Sequence, residues 1–418
     1  MNPWPLVAAD LRQHRIGAVA IVLLVALAVA LGVAVSAQER ALRQGSAQAA
    51  DKFDLIVGAP GSETQLVLSA VYLQAAAIPL LAPSILADLT DDPSVKLASP
   101  IGFGDSHDGH PVVGVVPAFV THLAGGVPAE GRVFERLDEV VVGSAVDLQL
   151  GDSFHPTHGM VVIDDDEDHH DFSYRVVGRL PPLGNPWDRA IVGPIEAVWW
   201  MHSLPLGHAI DDARLYSNGL HAAPDWRAVP LGPPWDTAEL TGVPAIVVQP
   251  DSFAAAYQLR GAYRSREGSV AVFPAEVLIQ LYGLLGDVRD LLAVISVLTQ
   301  VLVIGAVLLA VLASLAQRRR LIAVLRALGA SRGFVFATVW LSVALMLATA
   351  SLLGLGLGYI AALALSRVFA AETSIALPVS LAGPELMLVL AIVVIGLLLA
   401  TIPAALTYRG SVSAGLRA

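Results

Sequence analysis

Residues 314–335 read SLAQRRRLIAVLRALGASRGFV, and this basic segment lies between two long apolar runs. It contains three adjacent arginines, four apolar residues that share one face of an α-helix, and a glycine: Arg318, Arg319, Arg320, Leu321, Val324, Leu325, Leu328 and Gly329. Glycine suits the position just past a helix C-terminus, so Gly329 predicts the end of this helix. The pattern fits either an anchor on lipid headgroups or a helix that docks into a groove of a cytoplasmic partner.

The apolar runs on either side are long enough to cross a membrane. The chain of 418 residues is 55% hydrophobic and only 15% charged, with a mean hydropathy of +0.67, which is unusual for a soluble enzyme. A membrane-spanning helix needs about 20 consecutive apolar residues. Four runs meet this requirement: 16–37, 291–316, 334–365 and 386–408. We therefore predict four transmembrane helices, the first of them a retained anchor because it exceeds the length of a signal-peptide core.

Basic residues near the ends of these runs predict the orientation. Arginines precede the first run, fill the segment between the second and third, and follow the fourth. The positive-inside rule then places both termini in the cytoplasm and the long segment after the first run outside it. The predicted segments, besides the four spans, are a cytoplasmic N-terminus (1–15), an extracytoplasmic domain (38–275), a stalk helix (276–290), a cytoplasmic helix-containing loop (317–333), a short periplasmic loop (366–385) and a cytoplasmic tail (409–418).

The extracytoplasmic segment has the pattern of a folded α+β domain. Short β-branched runs broken by glycine and proline, such as DLIVG, PVVGVV, EVVVG, YRVVG and AIVVQ, predict strands. ETQLVLSAVYLQ and AEVLIQLYGLL have helical spacing, and 204–242 is rich in proline and glycine, which is typical of a long loop. Since the chain has no cysteine, this domain relies on its own core, which is compatible with a bacterial periplasm. Residues 38–290 carry 33 of the 36 acidic residues, so we expect no nucleic-acid partner.

The chain lacks a nucleotide-binding motif. The phosphate-binding loop of ATPases needs a lysine after its second glycine, but the two lysines, Lys52 and Lys96, precede Phe53 and Leu97. We interpret GAPGS at 58–62 as a turn between a strand and a helix. GLGLG at 354–358 predicts close helix packing within a span.

The second, third and fourth spans have no ionisable residue in their cores. Ion and proton paths through lipid usually contain such residues, facing the bundle interior. Their absence disfavours a channel or a secondary transporter. It favours a protein that transmits motion across the membrane.

Histidines are concentrated in the extracytoplasmic segment, which holds ten of the eleven. The candidate metal ligands are His155, His158, His169 and His170, followed by His107 and His110. His202 and His208 lie in a further short run, and an acidic tract surrounds His169 and His170. Imidazole and carboxylate suit Zn²⁺, Cu²⁺ or Ni²⁺. We expect no cofactor bound directly by the chain, with a zinc ion in this region as the possible exception. The alternative is a solvated acidic loop with incidental histidines.

RRRLIAVLRALGASR after the second predicted span resembles the signature of FtsX-like permeases of ABC transporters, the MacB and LolC/LolE group. FDLIVGAPGS, shortly after the first span, is similar to the start of that group's outer domain, and PAALTYRGSVSAGLRA is similar to its C-terminal ending. The order of one span, a large outer domain and three spans also matches. The resemblance therefore covers most of the chain's organisation, and its most specific part is the segment that begins with Arg318.

The resemblance implies a non-catalytic permease subunit in the bacterial inner membrane. It implies a homodimer that works with two copies of a cytoplasmic ABC ATPase, which binds ATP and Mg²⁺ and docks on the coupling residues from Arg318 to Gly329. The outer domain would be moved mechanically to export or extract a periplasmic substrate, and the histidine-rich loops weakly suggest a link to zinc homeostasis. The alternatives are a signalling subunit that activates a periplasmic partner such as a cell-wall hydrolase, and a membrane-anchored, histidine-rich metal-binding protein.

Overall fold

The structure is a computed structural model. It describes residues 2–74, 76–159, 172–209, 225–281, 329–373 and 375–406, together with the single residues 294, 297, 298, 301 and 305. The chain divides into two compact units. The first, here called the membrane unit, comprises Met1–Arg43, Leu285–Val368 and Leu377–Ala418. The second, here called the sheet unit, comprises Gln44–Leu284 and Phe369–Ala376.

Nine α-helices and eleven strands have defined bounds in the described part of the chain. The helices are α1 (Trp4–Gln13), α2 (Arg15–Ala49), α3 (Glu63–Ala70), α4 (Pro83–Asp91), α5 (Pro117–Ala124), α6 (Ile195–Met201), α7 (Phe253–Ser265), α8 (Arg332–Thr373) and α9 (Gly383–Leu406). The strands are β1 (Leu55–Gly58), β2 (Val95–His107), β3 (His110–Val115), β4 (Glu130–Gly131), β5 (Glu139–Val142), β6 (Ser153–Phe154), β7 (Thr157–His158), β8 (Tyr174–Arg179), β9 (Ile191–Pro194), β10 (Ala245–Pro250) and β11 (Val270–Val272).

In the part of the chain that the structure describes, three helices are long and apolar enough to cross a membrane. They contain the segments Arg15–Ala49, Arg332–Ala371 and Gly383–Ile402, which correspond to the first, third and fourth predicted spans. The second predicted span, 291–316, lies almost entirely outside the described residues, as does most of the predicted stalk helix at 276–290. The chain is therefore a membrane protein with an α+β unit. Three of its four predicted spans appear as helices.

Two of these helices extend beyond the predicted spans. Helix α2 continues twelve residues past 37, the predicted end of the first span. The residues that follow are rich in alanine, glutamine and arginine, which are good helix formers. Helix α8 likewise reaches Thr373, well inside the predicted loop at 366–385. Hydropathy predicts only the part of a helix that can lie in lipid. Capping and packing interactions determine the residue at which the helix ends.

The two glycines at the ends of GLGLG contact α2, as their spacing predicts. A Cβ at Gly354 would lie 2.6 Å from the Ala26 carbonyl oxygen, and one at Gly358 would lie 2.6 Å from the Ala30 carbonyl oxygen. Such distances are too short for any side chain. A Cβ at Gly356, by contrast, would meet nothing within 4 Å. The four-residue spacing of the two contacting glycines lets the α2 and α8 backbones approach closely.

The sheet unit contains one eleven-stranded mixed sheet. Its main path runs in the order β11-β1-β10-β2-β3-β9-β5-β8-β4, with β6 pairing with β8 and β7 pairing with β2. Most neighbours are antiparallel, but β3 pairs with β9 and β5 pairs with β8 in parallel. Short helices connect the strands. The architecture agrees with the α+β prediction.

Both faces of the sheet are covered by apolar side chains. Along β1, Leu55 and Val57 belong to one buried cluster and Ile56 to another, because successive side chains of a strand point to opposite faces. The second cluster contains Phe119 and Trp187, whose rings meet edge to face at 5.5 Å. An apolar core on each face explains how the unit folds without disulfides.

Candidate functional site

The predicted coupling residues lie almost entirely outside the described part of the chain. This applies to Arg318, Arg319, Arg320, Leu321, Val324, Leu325 and Leu328. Gly329 is described, and it lies in a turn with a φ of 94°, a conformation that favours glycine. Helix α8 begins three residues later, and the Ser331 hydroxyl caps it by accepting a hydrogen bond from the Phe334 amide at 3.2 Å.

Among the described residues, the predicted histidine ligands do not form one cluster. His169 and His170 lie outside the described residues. Three of the other candidates, His107, His110 and His155, each have the ring atom Nδ1 within hydrogen-bond distance of a backbone carbonyl oxygen. His107 Nδ1 lies 3.2 Å from the carbonyl oxygen of His155, His110 Nδ1 lies 2.9 Å from that of Arg189, and His155 Nδ1 lies 2.9 Å from that of Phe172.

His158 instead lies with two residues that are absent from the predicted ligand set, Asp105 and His202. His158 Nδ1 lies 3.3 Å from Asp105 Oδ1, and His202 Nε2 lies 3.7 Å from the same oxygen. The two imidazole rings are 5.2 Å apart. One ligand atom from each residue lies within 4.8 Å of the other two, and no other such group of three occurs among the described residues.

The sheet register brings Asp105 and His158 together. Strand β7 pairs with the end of β2, and Asp105 lies directly opposite His158. Side chains at directly opposite positions of an antiparallel pair lie on the same face, a few ångströms apart. The Thr157 hydroxyl donates to the Ser106 carbonyl oxygen at 3.0 Å, and the Gly159 amide donates to the Gly104 carbonyl oxygen at 2.7 Å. These bonds fix β7 against β2.

A β-bulge in β2 precedes Asp105. The register between β2 and β3 shifts between Phe103 and Asp105, with Gly104 as the extra residue. Bulges change the direction in which the following side chains point, and they occur frequently beside functional sites. The third residue, His202, caps the C-terminus of α6, which packs against β2 and β3.

The three side chains differ in burial. The Asp105 side chain is fully buried, whereas the His158 and His202 side chains are 46% and 27% exposed. Tyr174 lies nearby and is fully buried. Burial raises the pKa of its hydroxyl well above the usual range, and the negative charge of Asp105 adds to this effect. The cluster therefore has one buried carboxyl side chain and two imidazoles that are partly exposed to solvent.

Sequence spacing could not identify this group, because its members are separated by 53 and 44 positions in the chain. The histidine-rich runs in the sequence include His202, but nothing in the run IGFGDSHDGH distinguishes Asp105 as a candidate ligand. Only the unusual glycine spacing before Asp105 indicates a local break in strand regularity.

A second buried carboxylate lies on α6. Glu196 Oε1 accepts hydrogen bonds from the Gly232 amide at 2.7 Å and from Trp235 Nε1 at 3.2 Å. His208 Nε2 lies 3.9 Å from the same oxygen. Glu196 Oε2 has no hydrogen-bond partner among the described residues. These contacts attach the proline-rich segment around residue 232 to α6, which indicates a structural role for Glu196.

Residues 293–412 match the family model of the FtsX-like permease C-terminal domain. This range covers the second predicted span from residue 293 onward, the third and fourth predicted spans and the segment with the three arginines. The match confirms the predicted resemblance over this part of the chain. No curated protein matches the chain.

Proposed function

Because residues 293–412 carry an FtsX-like permease C-terminal domain, we propose that the chain is the permease subunit of an ABC transporter of the FtsX/MacB type. In this proposal two copies of the chain form a homodimer in the bacterial inner membrane. Two copies of a separate cytoplasmic ATPase bind to them, and the sheet unit lies in the periplasm. Hydrolysis of ATP by the partner moves the sheet unit, which exports or extracts a periplasmic substrate.

The family match is the observation that carries this proposal, and the chain's own chemistry supports it. Neither lysine in the sequence has the context of a phosphate-binding loop, which is consistent with an ATPase on a separate subunit. The coupling segment from Arg318 to Gly329 is the proposed docking site, since an apolar helical face flanked by arginines fits a groove with an acidic rim.

The packing of the membrane unit supports transmission of motion over conduction. Helices α2 and α8 pack through Gly354 and Gly358, and Val25, Val29 and Val33 of α2 form an apolar cluster with Leu347 and Ile392. Such a contact is dry and closely packed. It suits helices that move as rigid bodies. A path for ions or protons instead needs polar or ionisable side chains that face the bundle interior.

Copurification with the candidate ATPase tests the proposal. A cytoplasmic ABC ATPase co-expressed with the chain as its candidate partner should copurify with it from detergent. Replacement of Arg318, Arg319 and Arg320 by glutamate should lower the recovered ATPase at least tenfold, since like charges then face the acidic rim. The matched control is Arg367→Glu, which changes an exposed arginine near the other end of α8. Equal recovery of the ATPase with the wild type and the triple variant would refute the coupling assignment.

The orientation can be tested by thiol labelling, because the chain has no cysteine of its own. In intact spheroplasts a membrane-impermeant maleimide should label Val127→Cys, since Val127 is 81% exposed in the sheet unit. It should not label Ala327→Cys in the coupling segment until the membrane is permeabilised. Labelling of the second variant in intact spheroplasts would reverse the proposed topology.

Transport and signalling make different predictions for the purified complex. A permease in vesicles with its ATPase should move or release a substrate when ATP is added. A signalling subunit should instead stimulate a periplasmic hydrolase with no net movement of substrate. The first outcome supports the proposal and the second supports the alternative.

A further inference from the structure

We propose that Asp105, His158 and His202 form a binding site for a divalent transition-metal ion such as Zn²⁺. The inference does not depend on the permease assignment. It concerns a ligand set that only the fold brings together, from β2, β7 and the C-terminus of α6.

The distances are close to those of a coordinated ion. Zinc holds nitrogen and oxygen ligands at about 2.0–2.1 Å, and a tetrahedral arrangement then separates neighbouring ligand atoms by about 3.3 Å. Asp105 Oδ1 lies 3.3 Å from His158 Nδ1 and 3.7 Å from His202 Nε2. The three ligand atoms lie within 4.8 Å of one another, so shifts of roughly 1 Å would complete the site.

A hydrogen bond orients the ring of His202 for metal binding. Its Nδ1 lies 2.8 Å from the Val198 carbonyl oxygen, which can only accept, so Nδ1 carries the proton. In the neutral ring Nε2 then presents its lone pair towards the Asp105 carboxylate. Histidines that bind metals commonly donate their other N–H to a backbone carbonyl in this way, which fixes the tautomer and the ring orientation.

The ligand types select the class of ion. Two imidazoles and one carboxylate suit Zn²⁺ and its neighbours in the transition series, whereas Ca²⁺ and Mg²⁺ prefer oxygen ligands. The Asp105 side chain is fully buried and supplies a negative charge at the base of the site. The two imidazoles are part exposed, so an ion can reach them from solvent and a water molecule can complete the coordination. The described residues supply three ligands, and zinc sites that hold three protein ligands with water in the fourth position are a known arrangement.

A simpler interpretation is a buried carboxylate that only pairs with the two imidazole rings. The two interpretations differ in what they predict for metal binding. A metal site holds the ion through all three side chains, so removal of any one of them weakens the affinity. A carboxylate that only pairs with the two rings requires no metal, and its removal leaves zinc affinity unchanged.

Zinc titration of the full-length chain in detergent, with the affinity tag removed, tests the inference. The chain should bind Zn²⁺, and His202→Gln and His158→Gln should each raise the dissociation constant of this site at least tenfold. The matched controls are His110→Gln, a histidine outside the group, and the double variant His169→Gln/His170→Gln, which removes the pair in the acidic tract. Both controls should retain the site.

A structural readout distinguishes a lost ligand from a misfolded variant. Without metal, each variant should have the same melting temperature as the wild type, which shows that it is folded. Asp105→Asn keeps the side-chain volume, and it should also lose zinc binding. X-ray absorption of the zinc-loaded wild type should show nitrogen and oxygen neighbours at about 2.0–2.1 Å, including two imidazoles. The inference is overturned if the three site variants bind zinc as the wild type does, or if only the His169/His170 variant loses binding.

Discussion

Arg40 and Glu385 form a buried ion pair that joins α2 to α9, with Arg40 Nη1 lying 2.6 Å from Glu385 Oε1. The glutamate side chain is fully buried and the arginine side chain is 12% exposed. Glu385 also accepts hydrogen bonds from the Ser36 hydroxyl at 2.7 Å and from the Ala382 amide at 3.0 Å. Arg40 Nη2 donates to the Ser380 carbonyl oxygen. The last residues of the predicted loop at 366–385 are therefore the first turn of α9, and this turn contains the buried Glu385 side chain.

We expect Glu385→Ala to destabilise the membrane unit by about 3–5 kcal/mol, because it leaves the Arg40 guanidinium buried without its counter-charge. Arg40→Ala should have a similar effect. Unfolding in detergent, followed by circular dichroism, measures both. The double variant should be less destabilised than the sum of the two single variants, since the pair is lost only once. Additive effects would show that the two residues do not interact.

The contact between α2 and α8 predicts a difference between neighbouring glycines. Gly354→Ala places a methyl group 2.6 Å from the Ala26 carbonyl oxygen, so the helices must separate, at a cost of about 1–3 kcal/mol. Gly356→Ala is the control, because it meets nothing within 4 Å and alanine is the better helix former. The same unfolding measurement should show a loss of stability for Gly354→Ala and none for Gly356→Ala. Equal stability of the two variants would exclude the close helix contact.

The ion pair between Glu139 and Arg132 predicts acid sensitivity of the sheet unit. Burial alone would raise the pKa of Glu139, but the hydrogen bonds from Arg132 and from the Glu135 amide, with the arginine charge, outweigh it and lower this pKa. A lowered pKa means that the carboxylate stabilises the fold above the ordinary glutamate range. This contribution is lost as the pH falls through the lowered pKa.

Melting temperatures between about pH 7 and about pH 3 check this prediction. The melting temperature of the wild type should fall more steeply on acidification than that of Glu139→Gln, which lacks the titrating group. Glu267→Gln is the control, since Glu267 is exposed and lies away from this pair in the sequence, and its profile should follow the wild type. A Glu139→Gln profile parallel to the wild type would contradict the prediction.

Substitution of Glu196 should loosen the segment around residue 232. Glu196→Ala removes the acceptor of the Gly232 amide and the Trp235 indole N–H, and a buried donor left without its partner costs about 1–3 kcal/mol. We expect faster hydrogen exchange at Gly232 and a lower melting temperature. The exposed Glu267→Ala should change neither. Unchanged protection at Gly232 in Glu196→Ala would show that other contacts hold the segment.

The pattern of apolar and β-branched residues predicted much of the fold. All five β-branched runs form strands, and GAPGS forms the turn between β1 and α3, where the Ser62 hydroxyl accepts from the Gln65 amide. Strand β2 was not predicted, because Pro100, Gly102 and Gly104 interrupt its pattern. It forms nonetheless because β10 and β3 pair with it, which shows tertiary pairing overriding local propensity.

The candidate site was less accessible to sequence reasoning. Histidine density drew attention to the correct region, but density does not report which rings converge. His107, His110 and His155 lie close in sequence to members of the group, yet each has a backbone carbonyl as the neighbour of its Nδ1. Strand register places Asp105 opposite His158, and register follows from the whole sheet.

Strand β2 is shared by two groups of strands, and this constrains how the sheet unit can deform. Its first half, as far as Ile101, pairs with β10, and its second half, from Gly102, pairs with β3. The bulge at Gly104 lies just beyond this changeover. Neither group of strands can shear or melt without disturbing the backbone that the other one uses. An ion held by Asp105 would therefore stiffen the common element of the sheet, and its effect would extend to amides that no ligand touches.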